Sequence, residues 1–366
     1  MLQRSLITAV LMTATSMSSA DTIHVPGDHA TIQAALDAAD FFGDTVQIAA
    51  GTYFEHELDA NGKSVQVIGG TNTDGSPAVK IDAQQQGIVV QCVSNEQFTT
   101  GFKNLIFTGG DSYGGGAYLV EASPTFTNCR FLENSSTYHG GGVYITGGQP
   151  RFVQCVIDGN ECLSDGGGVY VDSSAVPEFI NCTITGNSAP NYGGGVYASD
   201  DSILNFTNCT VSGNTSSYMG GGMALIEADL TMEQCEITDN STYWKGGGLY
   251  IDESPTTMTS CTISGNTGSN YGGGIFIEYE TLSMTDCTIT TNTASEQGGG
   301  IMSWDTEIQL GTSTVCDNSP DQLKMELLTV VSCTATSTTC EGDVNADGVV
   351  DVTDLLLVIG NWSNCP

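Results

Sequence analysis

A block of 26 or 27 residues recurs through more than half of the chain, and no other feature restricts the possible folds as much. Glycine triplets begin at Gly114, Gly140, Gly166, Gly193, Gly220, Gly246, Gly272 and Gly298, in steps of 26, 26, 27, 27, 26, 26 and 26 residues. Cysteine keeps step at Cys129, Cys155, Cys182, Cys209, Cys235, Cys261 and Cys287. Asn follows each cysteine five residues later, at Asn134, Asn160, Asn187, Asn214, Asn240, Asn266 and Asn292. A fixed period of this length signals stacked units, each burying its apolar face against its neighbours.

Inside a unit the pattern has a period of two. Val143-Tyr144-Ile145, Val169-Tyr170-Val171 and Leu249-Tyr250-Ile251 place aliphatics on one side and Tyr on the other, as a strand requires. Cys182-Thr183-Ile184 and Cys261-Thr262-Ile263 repeat the pattern with Thr outward. No unit holds an apolar run of helical spacing. The expected fold is all-β: a right-handed parallel β-helix solenoid, one unit per coil, with coils about 4.7–4.9 Å apart. Stacking turns equal positions into columns. Phe126, Phe152, Phe179, Phe206, Met232, Met258, Met284 and Leu310 are expected inside, with the cysteines and the Ile or Val two residues beyond them. The glycine triplets are expected to turn a corner at backbone angles other residues avoid. The Asn column is expected at another tight turn, because Asn tolerates the left-handed region.

The unit Cys-x-(Ile/Val)-x-x-Asn followed by Gly-Gly-Gly-x-Tyr resembles the repeats of polymorphic outer-membrane proteins and related right-handed β-helix proteins. Near the start, Ala30-Thr31-Ile32-Gln33-Ala34-Ala35-Leu36-Asp37-Ala38-Ala39 and Gly51-Thr52-Tyr53-Phe54-Glu55 resemble the opening of pectin methylesterases and other pectin-lyase-like proteins. The catalytic aspartate pair and Arg of those esterases have no counterpart here. Both resemblances imply fold and leave chemistry open.

Charge narrows the partners. With 8 Lys+Arg against 42 Asp+Glu the net charge is −34, which argues against nucleic acid and anionic membranes. No apolar run is long enough to span a bilayer. Thirteen cysteines suggest an oxidising compartment. The seven in step should nonetheless be buried thiols, since parallel Cα–Cβ vectors suit neither a disulfide nor a tetrahedral metal site. The expected pairings are Cys340–Cys365 first and Cys316–Cys333 second. An odd total leaves at least one thiol free or intermolecular.

Five segments follow along the chain. Residues 1–20 have Arg4, an apolar stretch and a small-residue ending, the pattern of a secretory signal peptide, so the protein is expected to be secreted, extracellular or on the cell surface. Residues 21–112 form an N-terminal cap and first irregular coils. A short helix over Thr31–Ala39 covers the end, and strands are expected at Thr22–Val25, Thr45–Ile48, Ser64–Ile68, Val79–Ile81, Ile88–Gln91 and Leu105–Phe107. Residues 113–332 hold the regular coils and C-terminal cap, 333–339 a linker, and 340–366 a small module.

That module contains Asp343-x-Asn345-x-Asp347-Gly348-Val349-x-Asp351-x-x-Asp354, the oxygen-donor spacing of an EF-hand calcium loop. Asp343, Asn345, Asp347, Asp351 and Asp354 would supply side-chain oxygens and Val349 a backbone carbonyl. It resembles one type I dockerin repeat. Dockerins use two such repeats to bind cohesin and this chain shows one, so Ca²⁺ is the expected ligand and cohesin is not the expected partner.

Two outward columns carry the remaining chemistry. Tyr118, Tyr144, Tyr170, Tyr197, Tyr250 and Phe276 follow the glycine triplets, broken at Ala224. Exposed rings in line suit sugar stacking, and the same rings packed on one another would stabilise the sheet. Beside them runs an acidic ridge of Asp172, Asp200, Asp201, Glu227, Asp252, Glu253, Glu278, Glu280 and Asp305. Between Gly114 and Asn318 the only Lys or Arg residues are Arg130, Arg151 and Lys245. Arg130, Arg151, Asp158 and His139 could meet on adjacent coils, and Tyr243-Trp244-Lys245 is an aromatic turn. No catalytic residue is identified. The expected function is recognition of a polysaccharide or another extracellular or cell-surface partner. Alternatives are a polysaccharide lyase or glycoside hydrolase of pectin-lyase-like fold, and a structural or adhesive surface protein.

Overall fold

A computed structural model describes residues 20–326 and 330–332. The expected signal peptide, linker and calcium loop therefore lie outside the described residues, as do Cys333, Cys340 and Cys365. Among the described residues the strands form four parallel sheets of 13, 11, 11 and 7 strands, each running from coil to coil. Twelve inter-strand steps in the largest make a body about 58 Å long.

One coil shows the plan. Ser202–Thr207 lies in the 13-stranded sheet, Thr210–Ser212 and Thr215–Ser216 in the third and fourth, and Met223–Ile226 in the second. Asn208, Gly213, Gly220 and Glu227 between them have φ of 52°, 62°, 65° and 53°. Each coil thus turns four corners, and each corner places a residue in the left-handed region, which tightens the turn within one or two positions. The sequence suggested only the corners marked by Gly and Asn.

Register follows the period. Phe126 pairs with Phe152, Phe152 with Phe179 and Phe179 with Phe206, and their rings stack at centroid distances of 5.2, 4.9 and 4.7 Å. Each cysteine of the column is buried and unpaired. Its thiol donates to main-chain carbonyls, as Cys209 Sγ does to Phe179 O at 3.3 Å. Burial pushes the Cys129 thiol up to about 12.

The Asn column departs from expectation. The residue before each Asn takes the positive φ, for example Gly186 at 63° and Asp239 at 57°, while the Asn side chain turns inward and is buried. The main-chain N–H and Nδ2 of Asn187 both donate to Asn214 Oδ1 at 2.9 Å, and Nδ2 also donates to Ile157 O at 3.0 Å. Repeated from Asn134 to Asn318, this is a buried amide ladder that satisfies corner N–H groups no strand can reach. The third glycine of each triplet lies flat against it, and the second against main-chain carbonyls of the next coil. A Cβ on Gly195 would stand 2.6 Å from Gly222 O and 2.9 Å from Asn214 Nδ2. Left-handed geometry thus explains only the first glycine of each triplet, and lack of space explains the other two.

The irregular N-terminal coils join the same sheets through Thr22–Val25, Phe42–Ile48 and Ser64–Gly69. The strand expected at Ile88–Gln91 begins at Val90 and ends at Cys92, in register with Ala117 and Leu119. A helix spans Ile32–Ala38, with Ile32, Ala35 and Leu36 buried. Glu55 accepts from the first helical N–H groups, of Ile32 and Gln33, at 2.8 and 3.0 Å. Lys63 Nζ donates to Leu36 O and Asp37 O at 2.7 and 2.8 Å. Carboxylate at one end and ammonium at the other match the helix dipole. Among the described residues no helix is long and apolar enough to cross a membrane.

Candidate functional site

The residue before each glycine triplet forms a column of its own: Tyr192, Met219, Lys245, Tyr271 and Gln297 are bridged in parallel from coil to coil. Because the first glycine reverses the chain, this column folds back over the outer face of the second sheet, where the tyrosines stand. A second apolar layer results outside the main core. It contains Met219, Ala224, Tyr250, Phe276 and Met302, with Tyr192, Tyr197, Trp244 and Tyr271 packed against it.

The tyrosine column does stack, with Tyr144–Tyr170 and Tyr170–Tyr197 at 5.0 and 5.2 Å. It is not an open platform. Tyr170, Tyr250 and Phe276 are buried at 8%, 4% and 1% exposure, and Tyr118, Tyr144 and Tyr197 are half-buried. Burial pushes the Tyr197 phenol up to about 12. Exposed rings lie instead along the covering turn: Tyr113, Tyr138, Tyr218 and Tyr243, the last at 75% exposure. Tyr113 and Tyr138 stand 5.6 Å apart, and Tyr218 packs 4.7 Å from Trp244. The spacing signal was present in the residues preceding the triplets, several of which are aromatic.

The acidic ridge divides in three. Asp200, Asp201, Glu227, Glu253 and Asp305 occupy left-handed corner positions and are exposed. Asp201, Glu227, Asp229 and Glu253 surround Ile203 in an open acidic hollow. Glu280 is half-buried and bonds to the N–H of Thr281. Asp172, Asp252 and Glu278 lean under the covering turn. Tyr250 Oη donates to Glu278 Oε1 at 2.6 Å and lies 3.3 Å from Asp252 Oδ2. Lys245 Nζ is 3.5 Å from Glu278 Oε1 and 4.1 Å from the centre of the Phe276 ring. Burial, followed by the Glu278 charge, raises the pKa of Asp252 above the usual carboxylate range.

The basic cluster considered from sequence does not form. Arg151 pairs with Glu178 at 2.6 Å on the 13-stranded sheet, whereas Arg130 and Asp158 lie on the third sheet. His139 sits on the covering turn, 3.2 Å from Asp165. Among the described residues no group of His, Cys, Asp and Glu is arranged to hold a metal ion.

Residues 59–189 and 141–315 match the family model described as right handed beta helix region. No curated protein matches the chain. Pectate lyase Pel9A is similar in structure, at 14% identity and a TM-score of 0.45, covering 91% of this chain and 84% of that one. The Dettilon tailspike protein shares 13% identity at a TM-score of 0.43, covering 83% and 68%. PfbA, a surface adhesin of Streptococcus pneumoniae, shares 11% identity at a TM-score of 0.23, covering 82% and 89%.

Proposed function

The chain belongs to the right-handed β-helix family, and from that premise we propose that it is an exported, calcium-binding protein whose covering turn recognises carbohydrate without catalysis. The observation that carries this is the set of exposed rings, Tyr113, Tyr138, Tyr218 and Tyr243, of which the first three pack on Tyr144, His139 and Trp244. Rings held by a rigid layer lose little entropy on binding and offer flat faces to pyranose rings. The domain plan is that of the sequence: a cleaved leader over 1–20, a body over 21–332 with the helix as its first cover, and a tethered module over 340–366. Asp343, Asn345, Asp347, Val349, Asp351 and Asp354 hold Ca²⁺ in that module. Cys340–Cys365 would close it, and Cys316–Cys333 would fix the start of the linker to the body.

Glycan-array binding tests the reading directly. Tyr138→Ala and Tyr243→Ala should each weaken binding about three- to tenfold, and no binding to any glycan would reject it. Calorimetry with Ca²⁺ should show one site, lost in a double Asp343→Ala, Asp354→Ala variant. The second reading is a polysaccharide-degrading enzyme, favoured by Lys245, Tyr250, Asp252 and Glu278 meeting under the turn. Product release from pectin, alginate or a neutral glycan, abolished by Glu278→Gln, would establish that reading instead.

A further inference from the structure

The Lys245 cluster has an equivalent four coils earlier, about 19 Å away along the axis. His139 stands where Lys245 stands, immediately before a glycine triplet. Tyr170 occupies the place of Phe276, Tyr144 that of Tyr250, and Asp172 that of Glu278, as the shared register of the second sheet requires. The contacts correspond. His139 stacks on Tyr170 at 4.3 Å, as the Lys245 ammonium lies over Phe276 at 4.1 Å. Tyr144 Oη donates to Asp172 Oδ2 at 3.4 Å, as Tyr250 does to Glu278.

The difference lies in what faces the carboxylate. Glu278 has the Lys245 ammonium, itself within 5.2 Å of the Trp244 ring centre and 6.0 Å of that of Tyr250. An ammonium bounded by ring faces and one carboxylate is a cation cage. Asp172 Oδ1 is buried and has no hydrogen-bond partner, and neither has His139 Nδ1, although Asp165 Oδ2 lies 3.2 Å from it. No hydrogen bond joins His139 to Asp172, whereas Lys245 does reach Glu278. A carboxylate oxygen without a partner in such surroundings is costly unless a donor arrives.

We propose that the cluster of His139, Tyr144, Tyr170 and Asp172 is a subsite for the ammonium group of an amino-sugar glycan, the group for which Lys245 stands in at the equivalent place. Tyr113 and Tyr138, exposed and 5.6 Å apart beside the cluster, give a pyranose a stacking surface next to that carboxylate. A chain of charge −34 attracts such a polycation and repels uronate polymers. This deepens the carbohydrate reading and rests on it.

Calorimetry on the full chain would compare glucosamine oligomers with their N-acetylated forms, cellohexaose and galacturonate oligomers, at a pH where the amines are charged. Glucosamine oligomers should bind most tightly. Asp172→Asn, which keeps the side-chain shape, should weaken them at least about tenfold and leave neutral glycans unchanged. Asp305→Asn, at an exposed corner remote from the cluster, should bind glucosamine oligomers as the wild type does, and the melting temperature of each variant separates loss of the subsite from loss of fold. Equal affinity for amino and acetylated oligomers, unaffected by Asp172→Asn, would overturn this inference and leave carbohydrate recognition standing. No binding to any glycan would overturn both. Asp172-dependent binding of polylysine without binding of glucosamine oligomers would reject the sugar as ligand.

Discussion

At the scale of single residues the Asn ladder carries the greatest risk. Asn214 Oδ1 accepts from two donors of Asn187, and Asn214 Nδ2 donates to Ile184 O at 3.0 Å. Asn214→Ala leaves these groups buried without partners, at about 1–3 kcal/mol each. The expected loss is about 3 kcal/mol or more, read as a lower urea midpoint at unchanged slope. Asp252 gives a test of opposite sign. Its folded-state pKa is raised, so the protonated form is favoured in the fold. Its contribution to stability is therefore complete below the unfolded carboxylate range and lost as pH rises through the raised value. Asp252→Asn should raise the melting temperature at about pH 7 and match the wild type at about pH 3. Because the group is partly open to solvent, the gain should stay below about 1 kcal/mol.

At the scale of the element, the coil is defined by its corners and by how closely the glycine stretch approaches its neighbours. Two glycines of adjacent coils separate these causes. Gly213 has φ of 62° and open space around its missing Cβ, with only Thr185 Oγ1 near, at 3.8 Å. Gly194 has no such φ, but a Cβ there would press on the carbonyls of Thr215 and Gly221. Gly213→Ala should cost about 1 kcal/mol, and Gly194→Ala about 3 kcal/mol or more, since backbone cannot give way as a side chain can. Chemical denaturation of the two variants checks the order. Pattern alone places the first glycine of each triplet, because corner and period coincide. It misplaces the Asn, because the left-handed residue and the inward-facing residue are neighbours at that corner.

For the molecule as a whole, charge and stacking oppose each other. Asp201, Glu227 and Glu253 recur coil upon coil at exposed corners, and like charges one strand apart destabilise by up to about 1 kcal/mol per pair. Salt screens them. The melting temperature of a chain ending at Ser332 should rise by several degrees, about 2–4 °C per kcal/mol relieved, as NaCl or Ca²⁺ is added. A truncated chain indifferent to both would show that the ridge stores no repulsion.

The sequence by itself determined the solenoid, its period, the buried sulfur column and the inward Phe column. Parallel hydrogen bonding forces residues one period apart into line, and alternation decides which of them face the core. Only the tertiary structure decided that the tyrosine column is covered, that Lys245 lies in an aromatic cage, and that His139 and Asp172 form its counterpart. Those facts depend on one column folding back over another through the left-handed glycine. Spacing within a column carries no information about contact between columns, because such contact is set by corner geometry and side-chain length.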